Sequence, residues 1–190
     1  NNATLRRLSL IQLICYFGAW FSHMAIYTLL INLEAPVWAL STAAAFTFLP
    51  SMLLAPFSGA IIDKVDTKKF MLFLTAIEIF TVFWLMFIHS LDSLWLLLVL
   101  ILLRLGTGSI YFQTEMSLLP KLLSDDELKT ANEIHSIIWS TSYALGMAIA
   151  GFYIYYFGTT SAFIADMLLY CIGFYMLLGL DIPSLASKHA

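Results

Sequence analysis

An all-α membrane protein, folded as a six-transmembrane-helix bundle, is the fold class this sequence predicts. Three observations carry it. Hydrophobic residues make up 61% of the 190-residue chain and charged residues only 11%, at a mean hydropathy of +0.89. A soluble domain carries about 25% charged residues, because it must cover its surface with polar groups. The apolar residues also fall into long runs of the roughly 20 residues that a helix needs to cross the hydrocarbon core. Finally, Lys and Arg gather in alternate loops, as they do when one membrane face is cytoplasmic. The solvent of this chain is therefore lipid. With a net charge of −3, no nucleic-acid partner is expected.

The spans follow in order. The first, about 8–31, and the second, 37–62, contain no Asp, Glu, Lys or Arg. Pro50 and Pro56 should bend the second, since each removes a helix hydrogen bond. The third, 70–91, carries only Glu78 among these residue types, and the fourth, 93–118, carries Arg104 and then Glu115. The apolar stretch from Ile134 to Leu180 is too long for one crossing. It breaks at Phe157-Gly158-Thr159-Thr160-Ser161, a turn-prone sequence, which gives a fifth span at 132–157 and a sixth at 160–180. β-Barrel strands are excluded, because they are near ten residues long and alternate strictly. The segment 119–131 reads as a polar linker. In it, Ser124 followed by Glu127 has the spacing of a capping box, so a short surface helix or helical turn is expected.

Orientation comes from the cations. Arg6 and Arg7 precede the first span, Lys64, Lys68 and Lys69 lie between the second and third, Lys121 and Lys129 between the fourth and fifth, and Lys188 follows the sixth. All fall on one face if the spans number six. The positive-inside rule makes that face cytoplasmic, so both termini are cytoplasmic and the expected location is a plasma membrane, such as a bacterial inner membrane. The whole chain, 1–190, reads as a single bundle. No cleavage-type leader is legible, and the missing initiator Met points to a trimmed or excised segment.

Ionisable residues at membrane depth are expensive. An Arg at a helix centre costs roughly 2.5–3.5 kcal/mol on insertion scales, so such residues face a bundle interior or a water-filled cavity. Arg104, Gly108, Tyr111 and Glu115 share one helix face by their spacing, and that stripe is the first candidate for a polar pathway. Arg104 has a second role open to it, pairing with an acid on another helix and locking the bundle. A further stripe on the first span comprises Gln12, Tyr16, His23 and Tyr27. Here His23 is either a proton relay or a hydrogen-bonded interior histidine, the latter preferred. Glu78 and Asp166 are candidates for coupling or for a structural ion pair, with Asp166 placed near the outer side. Trp139 and Tyr143 are candidate walls of an apolar site, and Gly146, Ala150 and Gly151 are small residues suited to close helix packing. Cys15 and Cys171 read as small hydrophobes. No phosphate loop, nucleophile motif or metal-spaced cluster is present, so no enzyme activity, cofactor or metal is expected.

The loop Gly59-Ala60-Ile61-Ile62-Asp63-Lys64-Val65-Asp66-Thr67-Lys68-Lys69 resembles the signature loop of the major facilitator superfamily, in sequence and in place. Asp66 stands where that family has its second Gly, a variant usual in the branch of siderophore exporters and macrolide efflux proteins. Leu49-Pro50, Pro56 and Gly59, and Leu119-Pro120 with Ala131-Asn132, are similar to that branch too. The resemblance implies one half of a major-facilitator fold, the N-terminal six helices of a twelve-span secondary transporter that works by alternating access. It implies a conformational latch at Gly59, Asp63, Lys64, Lys68 and Lys69, a functional Arg at Arg104 with Gly108, and a cavity lined by the first and fourth helices. The implied partners are a second six-helix half, a small amphipathic or drug-like substrate to be exported, and protons as a coupling ion. Ala19, where branch members often carry a polar residue, and Met147, where the antiporter motif has Pro, bear against proton antiport. Two rival readings stay open: a non-transporting scaffold that retains the fold, and a half-size transporter acting as a homodimer.

Overall fold

The computed structural model describes residues 3–62, 64–180 and 182, with side chains except at 3, 55 and 57–60. Among the described residues there are helices and no strands: α1 (Ala3–Asn32), α2 (Val37–Phe46), α3 (Leu49–Ile62), α4 (Thr67–Leu85), a 3-10 turn (Leu91–Ser93), α5 (Leu94–Leu122) and α6 (Asp125–Leu178). By length and composition, three stretches among the described residues are able to cross a membrane: Thr4–Asn32, Leu91–Leu122 and Asp125–Leu178.

A straight helix of 54 residues would be about 80 Å long at 1.5 Å per residue. Yet Ala131 and Leu177, near its two ends, belong to one apolar cluster, while Ala150, Ile154, Ala162 and Phe163 belong to another. The chain therefore folds back inside α6. It does so at Gly158, whose backbone (φ 80°, ψ 168°) lies in a region that essentially only glycine occupies. The two limbs, 125–157 and 159–178, both pack on α1: Gly146 of the first faces Phe17 and Trp20, and Gly173 of the second faces Cys15.

The two clusters mark the two ends of the bundle, and the chain enters them alternately. Residues 8–15 lie in one, 21–43 in the other, then 62–74, 82–101, 111–131, 150–163 and 170–180 in turn. The described cations other than Arg104, from Arg6 to Lys129, all adjoin the first cluster. Many large apolar side chains face outward, Trp95, Phe152, Tyr155 and Tyr175 among them, as a bundle solvated by lipid requires.

Some boundaries differ from the expected ones. The second span is broken between α2 and α3 at Thr47 and Phe48. Pro50 explains the break, because its ring clashes with the carbonyl four residues back, that of Phe46, and it has no N–H to donate. Pro56 is accommodated inside α3. The third helix ends earlier than 70–91, at Leu85, and starts earlier because Asp66 caps it by accepting from the Lys69 N–H at 2.9 Å. The segment 119–131 is not a separate linker. α5 runs to Leu122 and α6 begins at Asp125, held by the expected capping box, in which the backbone N–H and hydroxyl of Ser124 both donate to Glu127 at 3.1 Å. These bonds hold the Glu127 carboxyl below the usual carboxylate range.

One close approach has a measurable consequence. A Cβ at Gly173 would collide with the buried Cys15 Sγ. Gly173→Ala should cost about 1–2 kcal/mol, the lower part of the usual range for overpacking, and Cys15→Ala should restore most of it. Thermal denaturation of the two single variants and the double variant checks this, and a double variant no better than Gly173→Ala would refute it.

Candidate functional site in the middle of the bundle

Between the two apolar clusters lies a polar layer. Each member is delivered by a different helix: Ser22 by α1, Glu78 by α4, Arg104 by α5 and Asp166 by the second limb of α6. All four are buried, Ser22 and Asp166 completely. Arg104 sits at the centre. Its Nη2 donates to Asp166 Oδ2 at 2.7 Å and to the Ser22 hydroxyl at 2.8 Å. Its Nη1 lies 3.1 Å from Glu78 Oε2, an ion pair that is not aligned as a hydrogen bond. The guanidinium also stands 5.4 Å from the centre of the Tyr170 ring, within cation–π range. Planarity suits Arg for this place, since its fork addresses two carboxylates at once.

Two glycines make room for the acids. A Cβ at Gly18 would stand 2.5 Å from Asp166 Oδ1, and one at Gly108 would stand 3.3 Å from Glu78 Oε1. Asp166, read from the sequence as a coupling group or a member of an ion pair near the outer side, is fully buried in this layer and paired with Arg104. It has an Arg within reach, and pairing there removes the need to reach water.

The polar layer borders a cavity of about 300 Å³, at the lower end of the range for small-molecule sites. Of the candidate residues, Tyr16, His23, Glu78, Arg104, Gly108, Tyr111 and Trp139 line it. Asp166 stands behind Arg104 and outside the lining. Tyr143 is also outside it, but stacks on Trp139 (centroids 5.7 Å apart, 11° between planes) and meets Trp20 edge-on at 4.7 Å. His23 is wedged edge-on between Trp20 and Tyr27, at 5.4 and 5.1 Å.

Glu115, Gln12 and Tyr16 form a second polar group towards the cation-bearing end. The Tyr16 hydroxyl donates to Glu115 at 3.2 Å, and the Gln12 side chain contacts the same carboxyl. His135, which the sequence reading passed over, packs edge-on against Tyr16 at 5.8 Å. The loop residues lie at that end as well, away from the cavity. Lys64 and Lys69 are exposed, while Lys68 donates to the backbone carbonyl of Leu178 at 2.8 Å, satisfying the last turn of α6 as cations at helix C-termini do. Gly59 is helical, and Asp63 lies outside the described residues.

Several cavity residues went unremarked in the sequence. Thr47, Phe48 and Ser51 enter the lining beside the break that Pro50 makes in the second span, with Phe48 at the open side (76% exposed). The proline was the available signal. Trp20, Phe112 and Tyr170 look like any other membrane aromatic in sequence, and only packing distinguishes them.

Among the described residues the fold is all helical, with three stretches long and apolar enough to cross a membrane and a buried ion cluster beside a cavity. Residues 8–189 match the Major Facilitator Superfamily. The chain belongs to that superfamily, a family of membrane transporters. No curated protein sequence matches the chain.

Proposed function

We propose that this chain is the N-terminal six-helix half of a major facilitator exporter, which moves a small amphipathic or drug-like molecule by alternating access and is not an enzyme. The observation that carries the reading is the cavity bordered by Glu78 and Arg104, with Asp166 behind, at mid-bundle. That is where transporters of inverted-repeat construction hold their cargo. The alternate entry of the chain into two end clusters supports six crossings, and the cations at one end support cytoplasmic termini in a plasma membrane such as a bacterial inner membrane. A second six-helix half would close the open side of the cavity. In this reading the latch comprises Gly59, Asp63, Lys64, Lys68 and Lys69, and the acid and the lysines among them form charge pairs at the cytoplasmic ends that exist in only one state, which biases the equilibrium between two conformations. Lys68, already on the last turn of α6, would be exchanged between partners.

The test is export. Cells expressing the full gene product are loaded with a fluorescent amphipathic dye, and its loss is followed against cells that lack the gene. Faster, energy-dependent loss is expected. Equal loss across a panel of neutral, anionic and cationic dyes would support a non-transporting scaffold that keeps the fold.

A further inference from the structure

The geometry points to an organic cation bearing an aromatic or apolar body as the cargo of this cavity. This inference rests on the transport reading above and narrows it. The first argument is charge. Among the described residues lining the cavity, Glu78 and Arg104 are the only Asp, Glu, Lys or Arg side chains. Arg104 is already committed to Asp166, by the shorter of its two ion pairs. The layer thus sets one guanidinium against two carboxylates, a surplus of one negative charge when both are ionised. A surplus charge at membrane depth calls for a proton or a cation. An anion would have to compete with Asp166 for Arg104 while facing Glu78.

The second argument is the wall. Trp20, Phe48, Phe112 and Trp139 are among the lining residues, and among the described lining residues there is no Lys. Aromatic faces attract a cation through the ring quadrupole, Trp most strongly, and they accept an apolar body equally well. Glu78 is the group that selects charge: its Oε2 meets Arg104, while its Oε1 lies beside Gly108 in the lining. A hydrated inorganic ion would gain little from these rings, and a neutral cargo would leave the surplus carboxylate to be neutralised by a proton.

The experiment uses three probes of one shape and different charge: benzyltrimethylammonium, its neutral isostere neopentylbenzene, and phenylmethanesulfonate. Equilibrium binding to the purified full-length protein in lipid nanodiscs is measured for each, corrected for partition into protein-free nanodiscs. The cation should bind at least about tenfold more tightly than either of the others, the scale of a desolvated cation–π contact. Glu78→Gln, which keeps the shape and removes the charge, should shrink that preference to about threefold or less. Equal or tighter binding of the sulfonate or the neutral isostere overturns the proposal and leaves the transport reading standing. A preference that survives Glu78→Gln also overturns it. Saturable binding of none of the three overturns it as well, and the transport reading is then decided by dye export. Should Glu78→Gln fail to insert, the ranking on the unaltered protein still decides.

Discussion

Arg104→Ala is expected to abolish transport while the protein still reaches the membrane. Insertion should persist because removing an Arg from the middle of a span is favourable by roughly 2.5–3.5 kcal/mol on insertion scales. The folded bundle, by contrast, would keep two buried carboxylates, Glu78 and Asp166, with no cation between them. Breaking a buried pair from one side costs about 3–5 kcal/mol, so the melting temperature should fall steeply in the same sample. Two companions separate function from scaffolding. Arg104→Lys retains the charge but not the planar fork, and should be intermediate. Combining Arg104→Ala with Glu78→Gln and Asp166→Asn removes the stranded charges, and should recover most of the stability without recovering transport. Membrane abundance, thermal denaturation and transport, measured on all three, check the argument. Full transport in the triple variant would reduce Arg104 to a structural tie.

Gly18→Ala is the second large effect, and it acts without replacing a charged residue. The new methyl would stand 2.5 Å from Asp166 Oδ1 and 3.3 Å from Leu169 Cβ. The carboxylate is fully buried and held by Arg104 and thus has nowhere to retreat. Overpacking costs about 1–3 kcal/mol, and the top of that range is expected here, since Asp166 must leave the guanidinium or α1 must leave α6. Gly151→Ala is the control: its nearest neighbour is Met24 Cε at 3.9 Å, an ordinary contact, and the substitution should be neutral. Thermal denaturation decides. Equal stability of Gly18→Ala and Gly151→Ala would mean that the close approach at Gly18 carries no weight.

The difference between what the sequence disclosed and what it withheld follows the range of the forces involved. Apolar runs, the fold-back near Gly158 and the Ser124–Glu127 capping box are local, and each was legible. Arg104 stood out because a charge in an apolar run is costly wherever the partner lies. Glu78 and Asp166 were legible as candidates for an ion pair, but the geometry that brings both to Arg104 was not. Nothing in residues 160–180 says that Asp166 turns inward to α5 while Tyr175 turns out to lipid. The glycines at 18 and 173 were equally silent, since a missing side chain announces itself only when its neighbour across the helix interface is known. Asp66 sits between these cases. It stood as a departure from the family's second Gly, and its cap on α4 supplies the reason that an acid serves there.

The fold-back at Gly158 decides how this protein can be probed from that end. With a single non-helical residue between two limbs, there is no loop there for a protease to cut or an antibody to grip. Among the described residues, the non-α-helical backbone joining helices at that end lies at 33–36 and 86–93. An epitope tag meant to report sidedness belongs in one of those two stretches. Placed at 158, it would prise the limbs of α6 apart, and would report damage to the fold instead of its orientation.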